Sequence, residues 1–295
     1  MPPSINYDSP GELRAFLKEH GLGMRKKYGQ NFLINPAARS HLIDALDLKK
    51  GDQVWEIGPG LGAMTKMLLE KGARVTGFEI DPAFSHALKE FFSLDPAFDL
   101  VEGDVFKTWP AIQAGEDLYL LGNLPYNIAA AILADFIEKG RFFKRMVVTV
   151  QKEVALRMAA GPSSADYSSF SVLCSTIYKI SPLKIIRGSS FYPVPNVDSR
   201  GVCLELLDSN GKRSVLFNPL VRSLFSGRRK KIRNTLSAFA ASVIMNGEPG
   251  VSSKAMEAAE EALRQAGISG ERRPETLSPD EFTALAAFLE GIVHE

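Results

Sequence analysis

The sequence predicts a doubly wound, mostly parallel α/β sheet followed by a small all-helical domain. Apolar strand-like runs alternate with helix-period segments through the first two thirds of the chain, the pattern of a parallel sheet with crossover helices. The first such run opens directly into a glycine-rich turn at 58–63, and the strand-like runs end near residue 208. Only helical periodicity follows.

Residues 10–21 carry Leu13, Phe16 and Leu17 on one side and Arg14, Lys18 and Glu19 elsewhere, predicting a short amphipathic helix ended by Gly21 and Gly23. The polar-aromatic loop Lys26-Lys27-Tyr28-Gly29-Gln30-Asn31-Phe32-Leu33-Ile34-Asn35 comes next, and Asn35-Pro36 reads as the N-cap and first position of a helix reaching about residue 45. A strand at 53–57, the loop Gly58-Pro59-Gly60-Leu61-Gly62-Ala63, a helix through Met67 to Leu69 and a strand at 73–79 form one βαβ unit. A third strand-like piece, 98–104, ends in Asp104, and a fourth, 118–121, runs into Gly122-Asn123-Leu124-Pro125-Tyr126.

Helices are expected at 128–137, 152–160 and 168–175, and strands at 145–150, 177–186 and 202–207, the last two as an antiparallel hairpin closing the sheet. Asp208-Ser209-Asn210-Gly211-Lys212 is turn chemistry and sets the expected boundary between a catalytic domain, 1–208, and a helical domain, 209–295. The latter should hold helices at 219–225, 230–244, 253–266 and 279–292.

Composition narrows the function classes. With 45% hydrophobic and 23% charged residues, and no apolar run near the ~20 residues that span a bilayer, a membrane protein is excluded. The start, Met1-Pro2-Pro3-Ser4-Ile5-Asn6, lacks a secretory signal, so the cytoplasm is expected. Cys174 and Cys203 sit in apolar segments without ligand spacing, and the four histidines are scattered, so no metal is expected. The net charge of +1 conceals two basic clusters, Arg25-Lys26-Lys27 and Arg228 to Arg233.

Gly58, Gly60 and Ala63 satisfy the dinucleotide-binding spacing G-x-G-x-x-G/A, and Glu79 follows at the distance of a ribose-binding acid. The glycines admit a ligand close to the backbone, the helix offers free N–H groups, and Glu79 can accept from ribose hydroxyls. That chemistry serves NAD and S-adenosylmethionine alike. Asp104, at the next strand end, is placed to accept from an adenine amino group and favours the second, although a strand-end acid read alone is equally a helix cap. Asn123, the Leu124 carbonyl, Pro125 and the Tyr126 ring gather an amide, a stiffened carbonyl and a π-face at one sheet edge. Such a set suits an exocyclic amino group and its ring.

With Tyr28-Gly29-Gln30-Asn31-Phe32-Leu33, the glycine loop, Gly122 to Tyr126 and Phe191-Tyr192-Pro193-Val194-Pro195-Asn196-Val197-Asp198-Ser199 in order, the chain resembles the ribosomal RNA adenine N6-dimethyltransferase family. Arg228-Arg229-Lys230 and Arg273-Pro274-Glu275-Thr276-Leu277 look most like its bacterial small-subunit branch, which dimethylates two adjacent adenines near the 3′ end of 16S RNA. The resemblance implies a Rossmann-like class I methyltransferase using S-adenosylmethionine and leaving S-adenosylhomocysteine. It implies cofactor contacts from Gln30, Asn31, Leu33, Gly58, Gly60, Glu79, Ile80, Asp104, Val105 and Asn123, catalysis by Asn123, Leu124, Pro125 and Tyr126, and Phe191 on the target base's other face. It further implies RNA contacts from Arg228, Arg229, Lys230, Lys231 and Arg233, and a monomer acting on pre-ribosomal small subunits. The alternatives are a ribosome-assembly binding factor with methylation secondary, and a methylase of large-subunit RNA or DNA adenine. An NAD-dependent dehydrogenase is the remaining rival.

Overall fold

The computed structural model describes residues 5–25, 28–115, 117–208, 213–244 and 251–294. The basic pair Lys26-Lys27 and most of the expected boundary turn, 209–212, lie outside them.

In chain order the elements are α1 (Pro10–Glu19), β1 (Phe32–Leu33), α2 (Pro36–Asp44), β2 (Gln53–Ile57), α3 (Ala63–Glu70), β3 (Arg74–Glu79), α4 (Pro82–Phe92) and β4 (Phe98–Glu102). Then come α5 (Val105–Thr108), β5 (Leu118–Asn123), α6 (Ala129–Glu138), β6 (Arg145–Gln151), α7 (Lys152–Ala159), α8 (Ser169–Ser175), β7 (Tyr178–Ile186), β8 (Phe191–Tyr192) and β9 (Ser199–Leu206). Helices α9 (Phe217–Ser226), α10 (Ile232–Ile244), α11 (Val251–Gln265) and α12 (Pro279–His294) complete the described chain.

Seven strands form one sheet in the order β4-β3-β2-β5-β6-β9-β7. From β4 to β6 all neighbours are parallel, and β9 enters antiparallel to β6. The central strands are apolar on both faces because helices cover both: in β5, Leu118 to Gly122 are all buried. Chain order reverses between β2 and β5, so the carboxyl ends of these strands open the crevice where such sheets bind ligands. The second hairpin strand, β9, is therefore internal, and β7 takes the edge.

Local signals set the helix starts. Asn35 caps α2 through a 3.0 Å bond from Ala38 N–H to its side-chain oxygen, with Pro36 at N1. Helix α4 has no counterpart among the sequence expectations; its signal is Asp81-Pro82, whose aspartate accepts from Ala83 N–H at 3.0 Å. The short ribbon of β1 with β8 has no counterpart either, since two-residue strands carry no periodicity.

The chain divides into two compact units, 1–155 with 179–206, and 156–178 with 207–295. The single expected cut after residue 208 is thus corrected: 156–178 belongs to the helical unit. The reason is packing. Tyr167 and Val172 are buried in one core with Phe217, Leu220, Leu236 and Phe282, and the Tyr167 hydroxyl donates to the Leu277 carbonyl at 2.8 Å. A short helix lying between two strands in sequence gives no sign of that long-range partner.

Candidate active site

The glycine loop leaves β2 with Gly58, Gly60 and Gly62 all at positive φ (71°, 61° and 83°), a region that penalises any side chain. The glycine N–H groups are used within the fold: Gly58 N–H donates to the Phe78 carbonyl and Gly62 N–H to the Pro59 carbonyl, each at 2.9 Å. Gly60 N–H donates to Glu79 Oε2 at 3.0 Å and Asp81 N–H to Oε1 at 2.9 Å. Burial pushes the Glu79 carboxyl up to about 7, against the opposing pull of these donors. Beneath the loop, Glu56 is pushed up to about 7, again by burial first. Its Oε2 accepts from the Thr65 hydroxyl at 2.6 Å, and its buried Oε1 has no partner among the described residues.

At the end of β5, Gly122 is required by its successor: a Cβ there would lie 2.6 Å from Leu124 Cδ2. Leu124 is only 1% exposed, so its buried side chain pins the turn and Asn123 is carried on a fixed stem. Asn123 Nδ2 donates to the Asn31 carbonyl at 2.7 Å. A carbonyl oxygen takes only donors, so the bond assigns Nδ2 to Asn31 and leaves Oδ1 as the amide's acceptor. The Tyr126 hydroxyl shares a 2.5 Å hydrogen bond with buried Ser199 Oγ, anchoring the half-buried ring to β9, and burial raises its pKa.

One cavity is lined by Gln30, Asn31, Leu33, Gly58, Gly60, Glu79, Ile80, Asn123 and Pro125, together with Tyr7, Arg39 and Leu61, which the sequence did not single out. Nine expected residues therefore converge from β1, the glycine loop, β3 and β5. Gln30 is held by accepting from Arg25 N–H at 2.8 Å and donating to Asp81 at 3.1 Å. A Cβ on Gly58 would meet nothing within 4 Å, so its Cα faces open space. With the Glu79 carboxyl on it, this wall fits a ribose-bearing small molecule.

Asp104, Val105, Leu124, Tyr126 and Phe191 are not among the lining residues. Asp104 caps α5, its Oδ1 accepting from Phe106 N–H at 3.1 Å, and Val105 is buried behind it. Phe191 requires a correction. Its ring is 1% exposed, in the core with Leu33, Ile43 and Leu121, because pairing of β8 with β1 turns it inward. It presents no face to a base here.

In the helical unit, the Arg228 guanidinium is spent internally, on Glu275 at 2.5 Å and on the carbonyls of Ala165 and Ser164 at 3.0 and 3.1 Å. These bonds brace the loop before α10, while the side chain stays 36% exposed in the cleft that Arg229 and Lys230 also line. Lys231 and Arg233 both pair with the exposed Glu271. Arg229 and Lys230 are exposed beside a cleft that also includes Arg273.

A switch-point cavity with a positive-φ glycine loop, a strand-end acid and an Asn-Leu-Pro-Tyr turn defines a Rossmann-like class I methyltransferase. Within that class, the chain belongs to the ribosomal RNA adenine dimethylase family, whose profile matches residues 21–256. It is 44% identical to the ribosomal RNA small subunit methyltransferase A of Treponema denticola, covering 98% of this chain and 96% of that protein. Identity to the same-named protein of Treponema pallidum subsp. pallidum is 42%, over 98% and 99%. Among solved structures it is similar to a dimethyladenosine transferase from Plasmodium falciparum, with TM-score 0.70 and 26% identity over 85% of this chain and 94% of that one.

Proposed function

We infer that the protein transfers methyl groups from S-adenosylmethionine to the N6 atoms of two adjacent adenines near the 3′ end of 16S ribosomal RNA. The product would be N6,N6-dimethyladenine on a pre-ribosomal small subunit in the cytoplasm, made by a monomer. The observation that carries this reading is Asn123, which lines the cavity and whose Nδ2 is committed to the Asn31 carbonyl, so that its Oδ1 would be the atom to accept a substrate N–H. The names and near full-length identity of the relatives support the substrate class.

When bound, S-adenosylmethionine supplies a sulfonium methyl, an electrophile that needs no metal. Gly58, Gly60, Asn31 and Glu79 would hold it along the cavity wall. Adenine's amino nitrogen is a poor nucleophile because its lone pair is delocalised into the ring. Asn123 Oδ1 accepts one N–H and the Leu124 carbonyl the other, localising that lone pair and aiming it at the methyl carbon. The proton lost afterwards belongs to a far more acidic, alkylated nitrogen, so no strong base is required. Tyr126, anchored through Ser199, stacks on the extruded base. Such stacking is worth about 1–3 kcal/mol and offsets much of the unstacking cost.

The decisive experiment incubates the protein with S-adenosylmethionine and small subunits lacking the mark, then maps modified nucleosides. Dimethyladenine at two adjacent 3′-proximal positions is expected. Modification of large-subunit RNA alone, or monomethylation elsewhere, overturns the substrate assignment.

A further inference from the structure

The family match begins at residue 21, yet the segment before it reaches two cofactor-site loops. Tyr7 lines the cavity, and its hydroxyl donates to the Leu61 carbonyl in the glycine loop at 2.8 Å. The next residue, Asp8, is ion-paired with Arg39 Nη2. Arg39 is 5% exposed, lines the same cavity, and uses Nη1 to donate to the Leu33 carbonyl at 2.7 Å. Two adjacent side chains thus hold the glycine loop and, through Arg39, β1, both of which line the cavity.

The grip continues through α1. Leu13 and Leu17 are buried against Leu61, Ile34 and Phe84, and Leu13 also lines the cavity. Arg14 donates to the Tyr192 hydroxyl at 3.1 Å, its guanidinium over that ring at 5.6 Å. Helix α1 stops cleanly, with Gly21 at φ 63° and Leu22 N–H returning to the Leu17 carbonyl at 2.8 Å.

We propose that Tyr7 and Asp8 are positioning residues of the cofactor site: Tyr7 fixes the glycine loop through the Leu61 carbonyl, and Asp8 fixes β1 at Leu33 through Arg39. This rests on the cavity taking S-adenosylmethionine. Neither residue transfers a proton or methyl; both pre-organise backbone that would otherwise be ordered only on binding. Linkage then demands that bound cofactor hold the segment more tightly in return.

The test uses full-length protein, with S-adenosylhomocysteine titrated calorimetrically into the parent, Tyr7→Phe, Asp8→Ala and Asp8→Glu. Loss of one such hydrogen bond should weaken binding about threefold to tenfold in Tyr7→Phe and Asp8→Ala, with Asp8→Glu largely restored. In turnover assays the KM for S-adenosylmethionine should rise by a similar factor while kcat and the KM for small subunits stay at parent values. Hydrogen exchange across residues 5–20 should slow on ligand binding in the parent and much less in Tyr7→Phe. If both weakened variants bind within twofold of a parent that itself binds, the inference is wrong even if their melting temperatures fall. A parent that does not bind at all removes the cofactor reading and the inference with it.

Discussion

In the proposed reaction Asn123 concentrates the chemistry: Nδ2 is tied to Asn31, and Oδ1 would accept a substrate N–H. Asn123→Ala should reduce methyl transfer on the order of 10²-fold, the usual consequence of removing one pre-organised polar contact, while circular dichroism stays that of the parent. Near-normal turnover would rule out its role. Glu56 makes a second residue-scale prediction. Its carboxyl rises from an ordinary 4.5 to about 7 in the fold, so the folded protein holds a proton that the unfolded chain releases. That contribution is complete below about pH 4.5 and is lost as pH rises through about 7. At ~1.4 kcal/mol per pH unit the span is worth about 3 kcal/mol. Stability of the ligand-free protein should decline from pH 5 to 8, and Glu56→Gln should make the decline shallower, leaving the part that Glu79, also raised to about 7, contributes; denaturant melts at several pH values measure both.

At the scale of elements, the glycine loop is shaped by what packs around it as much as by its ligand. Gly62 caps α3 at φ 83°, and a Cβ there would approach Phe92 to 2.5 Å and Leu88 to 3.3 Å. Gly62→Ala combines a left-handed penalty of about 1–2 kcal/mol with displacement of the Phe92 ring, for about 2–4 kcal/mol in all. A fall of that size in unfolding free energy, with weaker S-adenosylhomocysteine binding, is the expected outcome. The short β1–β8 ribbon shows the same logic in reverse: two residue pairs suffice to join the Asn31 loop to the Phe191 loop and to bury Phe191.

For the whole molecule, two units divide the labour, a sheet whose edge carries the cavity and a helical unit carrying the exposed cations Arg229 and Lys230. Removing both charges should weaken small-subunit RNA binding and lower the slope of log K against log salt by about 0.7–0.9 for each phosphate that is no longer neutralised. Arg228→Ala should instead lower the thermal stability of the helical unit, because its guanidinium is bonded to Glu275, Ser164 and Ala165. Equal salt slopes for parent and the Arg229, Lys230 double variant would remove these two from the RNA surface.

Much of this is legible in the chain itself. The order of the main sheet strands, most of the helices, the glycine loop, Glu79 and the Asn123 turn follow from local patterns, because periodicity and turn chemistry act over a few residues. Three-dimensional packing decided the rest. Tyr7 and Arg39 reach the cavity through hydrogen bonds to residues 54 and 6 positions away that leave no motif. Phe191 and Arg228 sit within recognisable strings, yet strand pairing buries one and a carboxylate with two carbonyls occupies the other. Residues 156–178 join the helical unit by burying Tyr167 and Val172 there. Local sequence specifies which groups are available; which of them remain free to meet a ligand depends on partners that only folding brings near.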